Sequence, residues 1–351
     1  MKIGSRDIGP KHRPYLIAEM SGNHNQSLDR ALEIVDAAAA SGADAVKLQT
    51  YTAETMTLNL RTPGFVIDDP KSLWNGRNLY DLYDEAHTPW DWHAPIMERA
   101  KSHGIACFSS PFDWTAVDFL ETLDVPAYKI ASFELLDIPL IERVAATRKP
   151  MIMSTGMATV AEVGEAVMAA KRAGAQDLIL LKCTSTYPAE PANTNLATIP
   201  TMRETFGCEV GLSDHTMGTG VAVASIALGV PLIEKHFTLA RADGGVDSDF
   251  SLEPAEFRAL RDECDRAWQA MGTVTFGGTT AEEGSRMFRR SLYIVQDMQA
   301  GDVLSLENLR SIRPGFGLPP KFLNTLIGRP IARPAPAGTP ADWSLFTPAA
   351  E

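Results

Sequence analysis

Along most of the chain, short β-branched or apolar runs alternate with amphipathic stretches, and the alternation repeats eight times. The runs predict strands at 15–19, 45–48, 106–109, 127–130, 151–154, 178–182, 209–212 and 232–236. Between them, apolar residues recur at helical spacing over 28–40, 90–103, 115–123, 140–147, 160–173 and 219–228, and a helix over 254–271 closes the series. Eight strand–helix units in about 255 residues fit the α/β class, as a (β/α)8 TIM barrel, better than an open sheet. The connection 51–88 is too long for a simple βα loop and reads as a folded insertion over a substrate. Its Leu73, Trp74, Leu79, Tyr80 and Leu82 would supply apolar cover.

After the last helix the composition changes. Gly277, Gly278 and Gly284 among Thr279, Thr280, Glu282 and Glu283 read as a linker. The expected organisation is a barrel over 1–276, a linker over 277–290 and a small C-terminal domain over 291–351. A module that size has little core of its own and should lean on a neighbour.

The formal net charge of −12 argues against nucleic acid as a partner. No run of about 18 apolar residues predicts a membrane span, and residues 1–14 lack the apolar core of a signal peptide. The expected location is the cytoplasm, with no membrane partner. Cys107, Cys183, Cys208 and Cys264 show no CxxC pairing and read as small buried residues.

In a barrel, the C-terminal strand ends carry the chemistry while the strand bodies fill the interior. Nearly every predicted strand here ends in polar groups: Glu19, Lys47 with Gln49, Ser109 with Ser110, Lys129 followed by Ser132 and Glu134, Ser154, Lys182 with Thr184, Ser213 with His215, and Glu234 with His236. Residues two apart share a face, so Lys47 and Gln49, Ser213 and His215, and Glu234 and His236 point together. His215 and His236 end consecutive strands and make an incomplete site for a divalent metal, Mn²⁺ or Mg²⁺, with other positions left to water and substrate. His93 and His103 lie on a predicted helix and are expected at the surface. Lys47 and Lys129 among Ser110, Ser132, Ser154 and Ser213 form a patch suited to a phosphate and a carboxylate, which Lys182 can join. Lys235 should point the other way. A strand-end lysine, Lys129 or Lys182, can alternatively serve as a Schiff-base nucleophile. Glu134 and Glu19 are candidate general bases, with Glu234 next.

These groups sit in stretches that resemble the sialic acid synthase family. The matching blocks are Ile17-Ala18-Glu19 with Ser21-Gly22-Asn23-His24-Asn25, Gly42-Ala43-Asp44-Ala45-Val46-Lys47-Leu48-Gln49-Thr50, Ser109-Ser110-Pro111-Phe112, Pro126-Ala127-Tyr128-Lys129-Ile130 and Ser154-Thr155-Gly156-Met157. Cys183-Thr184-Ser185-Thr186-Tyr187-Pro188, Gly211-Leu212-Ser213-Asp214-His215-Thr216 and Glu234-Lys235-His236-Phe237-Thr238 complete the set. The tail from Ser291 resembles the antifreeze-like (SAF) domain, with Arg313-Pro314-Gly315 at its substrate-reaching arginine. Within the family, residues 19–25, 79–83 and 85–90 are most similar to pseudaminic acid synthases. Ser185 stands where N-acetylneuraminate synthases commonly place an asparagine.

The resemblance implies condensation of phosphoenolpyruvate with an amino sugar, by attack of its C3 on the sugar aldehyde and loss of phosphate by C–O cleavage. It implies a metal on His215 and His236, water activated by Glu134, and phosphate and carboxylate held by Lys47, Lys129, Ser110, Ser132, Ser154 and Ser213, with Thr184 nearby. Gln49, Tyr187, Asp247 and Arg313 would contact the sugar, Arg313 from the exchanged C-terminal domain of a homodimer. N-acetylneuraminate or legionaminic acid synthesis by the same chemistry is the alternative.

Overall fold

The computed structural model describes residues 1–346. Eight parallel strands close into a barrel: β1 (Tyr15–Glu19), β2 (Ala45–Thr50), β3 (Ala106–Pro111), β4 (Tyr128–Ile130), β5 (Met151–Ser154), β6 (Leu178–Cys183), β7 (Glu209–Asp214) and β8 (Leu232–His236), with β8 pairing back onto β1. Around them run α1 (Leu28–Ala40), α2 (His93–Ser102), α3 (Trp114–Thr122), α4 (Ile138–Ala145), α5 (Val160–Ala173), α6 (Thr198–Phe206), α7 (Gly220–Ile226) and α8 (Pro254–Met271).

Strand parity divides the apolar residues into two cores. Outward residues such as Leu16, Ala18, Val46 and Leu48 pack under the helices. Inward ones, Tyr15, Ile17, Ala45, Phe108, Ile152, Ile179 and Leu181, fill the lower barrel, where Ile3 and Ile8 beside the N-terminal hairpin plug the base. The inward series on β1 therefore runs Tyr15, Ile17, Glu19, apolar below and ionisable at the mouth. Register aligns that last layer, with Glu19 opposite Lys47 on β2 and His236 on β8.

Helix ends follow local chemistry. Ser27 caps α1, accepting from Arg30 N at 3.3 Å. Thr159 and Glu162 form a capping box on α5, which stops at Gly174 in the left-handed region (φ 114°). The periodicity did not predict α6, whose three threonines are poor helix formers. Tertiary packing of Ile199 and Met202 sustains it, Pro200 is tolerated in its first turn, and Gly207 ends it.

His93 departs from expectation: it is fully buried. Its Nε2 meets Thr50 Oγ1 at 2.8 Å and its Nδ1 the Pro89 carbonyl at 3.3 Å. Burial lowers its pKa to about 4, so the ring is neutral. His103 lies at the surface beside Asp36 at 2.7 Å. The insertion is folded, with short helices at Ala53–Met56 and Leu79–Ala86. No helix among the described residues is long and apolar enough to cross a membrane.

The chain divides into two compact units, Met1–Gly272 and Thr273–Glu351. The boundary falls just before the expected linker, and Thr280–Phe288 is a run of 3₁₀ turns rather than open chain. The second unit pairs Ser291–Ile294 with Leu309–Ile312 and buries Leu292, Ile294, Leu304, Leu326, Ile331 and Leu345 among themselves, more core than its size suggested. Residues 347–351 of the expected C-terminal domain lie outside the described residues.

At the barrel base Arg261 is 1% exposed. Its Nη1 donates to the Pro14 carbonyl at 2.8 Å and to Asp44 Oδ2 at 3.0 Å, and Asp44 Oδ2 also accepts from Leu16 N at 2.8 Å. The clamp ties α8 to the starts of β1 and β2. Arg261→Ala leaves Asp44 with Arg6 and the Leu16 N–H as partners, and should cost about 1.5–3 kcal/mol, the range for a hydrogen bond to a charged group. Urea denaturation checks this, and an unchanged midpoint would remove the clamp from the account of stability.

Candidate active site

Four ionisable residues share the mouth of the barrel. Lys47 Nζ lies 2.6 Å from Glu19 Oε2, 3.8 Å from Glu234 Oε1 and 3.2 Å from Ser110 Oγ. Lys129 Nζ donates to both oxygens of Glu234, at 2.9 and 3.1 Å, and Ser213 Oγ donates to the same carboxylate at 3.2 Å. All these side chains are buried. Burial alone would lower the Lys47 pKa, but Glu19 and Glu234 outweigh it and hold the ammonium above its ordinary range. Burial prevails at Lys129, whose pKa is lowered against the pull of Glu234. Burial opposes ionisation of Glu234, yet Lys129 and Lys47 bring its pKa down to about 2. Glu19, where burial exceeds the effect of Lys47, moves up. Gln49 Nε2 donates to Glu19 Oε1 at 2.9 Å and Ser21 Oγ at 3.1 Å, and Ser21 in turn bonds Asp247.

Beside this layer is a hydroxyl-lined recess. Ser132 Oγ accepts from Gly156 N at 3.1 Å, while Ser154 Oγ is buried with no partner among the described residues. A Cβ at Gly156 would overlap Ser185 Oγ and come within 2.8 Å of Ser132 Oγ, so glycine keeps the backbone open to close approach. Glu134 is half-buried on the turn after β4, and its Oε2 is shielded without a partner among the described residues. Burial raises its pKa to about 7, which suits a group that exchanges protons near neutrality.

His215 and His236 lie side by side, ring centroids 5.3 Å apart. His215 Nδ1 donates to the Thr184 carbonyl at 2.9 Å. Burial opposes protonation of this ring, but Cys183 and that carbonyl raise its pKa, and in its neutral form the hydrogen sits on Nδ1 and the lone pair on Nε2. His236 Nδ1 is buried without a hydrogen-bond partner, 3.7 Å from Asp247 Oδ2. Burial and the neighbouring cations hold the His236 pKa well below its usual value, leaving a neutral ligand-type imidazole. No group of three or more His, Cys, Asp or Glu forms a complete cage among the described residues. Two nitrogen donors, one lacking any other partner, with a carboxylate at the rim fit a divalent cation in open coordination. The Tyr187 ring packs at a tilt 4.5 Å from His215 and 5.2 Å from Phe250, which is 4.8 Å from His236.

Residues 34–276 match the NeuB family and residues 289–347 the SAF domain. The chain belongs to the NeuB family. It is 43% identical over 333 residues to the pseudaminic acid synthase of Campylobacter jejuni, covering 95% of this chain and 96% of that one. The N,N'-diacetyllegionaminic acid synthase of the same species is 32% identical over 90% of this chain and 94% of its own. Among solved structures, N-acetylneuraminic acid synthetase from Leptospira borgpetersenii, in complex with citrate, matches with TM-score 0.73 and 29% identity, over 81% of this chain and 94% of that one.

On this NeuB-family barrel the structure gathers Glu19, Lys47, Gln49, Ser110, Lys129, Ser213 and Glu234 into one hydrogen-bonded layer, with His215, His236, Tyr187 and Asp247 on its rim. Strand parity turns Cys183 inward instead of Lys182 and Thr184. Lys182 Nζ donates to the Cys183 carbonyl at 3.1 Å, and the Thr184 hydroxyl lies 3.5 Å from the Asn193 carbonyl. Thr184 thus serves the site through its backbone. Cys183 Sγ lies 4.0 Å from His215 Nδ1, a position that the alternation of β6 makes legible although the absence of a CxxC partner points only to a small buried residue. Burial opposes its ionisation, while His215, Ser132 and Lys129 bring its pKa to about 6. Of the apolar cover, Trp74 reaches Tyr187 at 5.8 Å and donates Nε1–H to the Val246 carbonyl at 2.9 Å, whereas Tyr80 bonds Glu54 and Leu73 is exposed. Arg313 lies in the second unit, after its strand Leu309–Ile312.

A base with a pKa of about 7 acts in its deprotonated form, so turnover should rise as pH increases through 7. Glu134→Gln should lower kcat by roughly 10²–10⁴ and flatten that limb. Pre-steady-state phosphate release across pH 5.5–8.5 reads both, and a retained limb would assign the ionisation to another group.

Proposed function

We propose that the barrel condenses phosphoenolpyruvate with 2,4-diacetamido-2,4,6-trideoxy-altropyranose, giving pseudaminic acid and phosphate. The observation that carries the chemistry is the pairing of a buried two-lysine layer with an adjacent pair of histidines whose rings lie 5.3 Å apart. The family relationship, with the greater identity to a pseudaminic acid synthase, supports the choice of sugar. Lys47 and Lys129, with Ser110, Ser132, Ser154 and Ser213, bind the phosphate and carboxylate by charge-assisted hydrogen bonds. His215 and His236 would hold a divalent ion, Mn²⁺ or Mg²⁺, which when bound would supply Lewis-acid polarisation of the sugar aldehyde.

Asp247, Gln49 and Tyr187 orient the open-chain sugar so that its aldehyde carbon meets C3 of phosphoenolpyruvate. A C–C bond forms there, and positive charge develops at C2. Glu134 takes a proton from water adding at C2, the former aldehyde oxygen gains one to become a hydroxyl, and phosphate leaves with its bridging oxygen as the C2 hydroxyl gives up its proton and becomes the ketone. Glu234 and Glu19 hold the lysines in place, which ties Lys129 into an ion pair and disfavours its use as a Schiff-base amine. We assign the protein to the cytoplasm, as a homodimer in which Arg313 of each C-terminal domain serves the partner's barrel.

Phosphate release with a panel of sugars tests the reading. The 6-deoxy diacetamido altrose should exceed N-acetylmannosamine in kcat/KM by about 100-fold or more, because an aromatic wall receives a methyl group better than a hydroxyl. Trp74→Ala should narrow that gap. Equal kcat/KM on both sugars would overturn the sugar and leave the reaction class. For the exchanged domain, mixing Glu134→Gln subunits with Arg313→Ala subunits should restore about half of wild-type activity per mixed dimer, since both lesions fall in one site. No recovery after confirmed subunit exchange would confine Arg313 to its own chain or to no catalytic role.

A further inference from the structure

On the outer side of β7 and β8, away from the site, lies a buried ion pair that the chemistry above does not use. Lys235 Nζ is 3.0 Å from Asp214 Oδ2, and both side chains are at most 1% exposed. The two residues are register partners across the strands. Each immediately precedes a histidine, so parity turns 214 and 235 outward and His215 and His236 inward.

A second set of bonds surrounds the pair. Asp214 Oδ1 accepts from Thr216 N at 2.9 Å and Thr216 Oγ1 at 2.8 Å, while Lys235 Nζ donates to the Thr216 carbonyl. The residue after His215 is therefore gripped at both its N–H and its C=O. The His215 carbonyl accepts from Ala189 N at 3.0 Å, and the His236 carbonyl from Leu252 N at 2.8 Å. The carbonyls of both histidines are therefore held, and on the outer face Lys235 is the side chain that spans both strands.

Stability is a poor reason for such a pair. Desolvating two charges offsets most of their attraction, and well-packed apolar residues often serve as well or better. What a buried ion pair provides that leucines do not is a defined geometry. Here the geometry lies one residue back from both imidazoles.

We propose that Lys235 and Asp214 are a positioning pair that holds His215 and His236 at the separation a divalent cation requires. The inference rests on those histidines being the metal ligands. It concerns affinity for the ion in the absence of substrate, so it is read without turnover. Mn²⁺ titration of the purified full-length protein, followed by the EPR signal of free Mn²⁺, compares wild type with Lys235→Met, Lys235→Arg, Asp214→Asn and His236→Ala.

Lys235→Met retains the apolar stem and should weaken Mn²⁺ binding about 10–100-fold, the range for groups that orient metal ligands. Lys235→Arg should recover part of the loss, which general destabilisation would not predict. If Lys235→Met fails to fold, Asp214→Asn, which keeps the acceptor for Thr216 and removes the charge, should weaken binding in the same range. His236→Ala should abolish binding. Wild-type Mn²⁺ affinity in folded Lys235→Met or Asp214→Asn, with binding lost in His236→Ala, overturns the positioning role alone. Wild-type affinity in His236→Ala overturns the metal site itself, and the positioning role with it.

Discussion

The structure depends on pairing four ionisable side chains inside the mouth of a closed barrel. Glu19, Lys47, Lys129 and Glu234 are all buried, and each is acceptable there only because another of the four lies within hydrogen-bond reach. Removing any partner would strand a charge in a low-dielectric interior. The strand register follows from this. A slip of one residue on any of these strands would send the charged side chain under the helices and bring an apolar one to the mouth. The apolar layers below, closed by Ile3 and Ile8, complete the interior so that the charged layer sits on a packed floor.

That arrangement reconciles an acidic protein with a polyanionic substrate. A net charge of −12 gives a repulsive far field, while the mouth presents two ammonium groups and several hydroxyls at contact distance. The lysines are balanced by two carboxylates, so the site carries little net charge of its own. In the proposed reaction the positive excess would come from a cation held by the histidines, next to the layer. Neutral donors do the finer shaping: Ser132 and Gly156 frame a recess that any side chain at Gly156 would fill.

The rim is built differently. His215 is oriented by a backbone carbonyl, His236 by packing against Phe250, and Tyr187 by ring contacts with both imidazoles. Trp74 extends this aromatic wall from the insertion, held by its indole N–H. In the proposed reaction, loops and aromatic contacts would set the sugar side of the site and strand ends the phosphate side. Such a division lets related barrels keep one reaction while changing the acceptor.

Much of this was readable from the chain. The eightfold alternation identifies the barrel, because strand and helix periods differ and repeat in order. The polar strand ends identify the charged layer, because parity is a local property: Lys47 with Gln49 and Glu234 with His236 need no tertiary information to share a face. One departure is local, at β6, where parity turns Cys183 inward and Lys182 away; the others are places where distant segments decide. Packing of Ile199 and Met202 holds a helix that threonine-rich sequence disfavours. Thr50 and the Pro89 carbonyl satisfy His93, so it is buried where its helix position suggested the surface. Which carboxylate pairs with which lysine, and why Glu134 alone among the three candidate bases is left unpaired near neutrality, depends on how closed strands bring residues together that are far apart in the chain. Sequence alone determined which side chains face the mouth. Only the tertiary structure decided their partners, because hydrogen bonds and desolvation act over a few ångströms in space and carry no memory of separation along the chain.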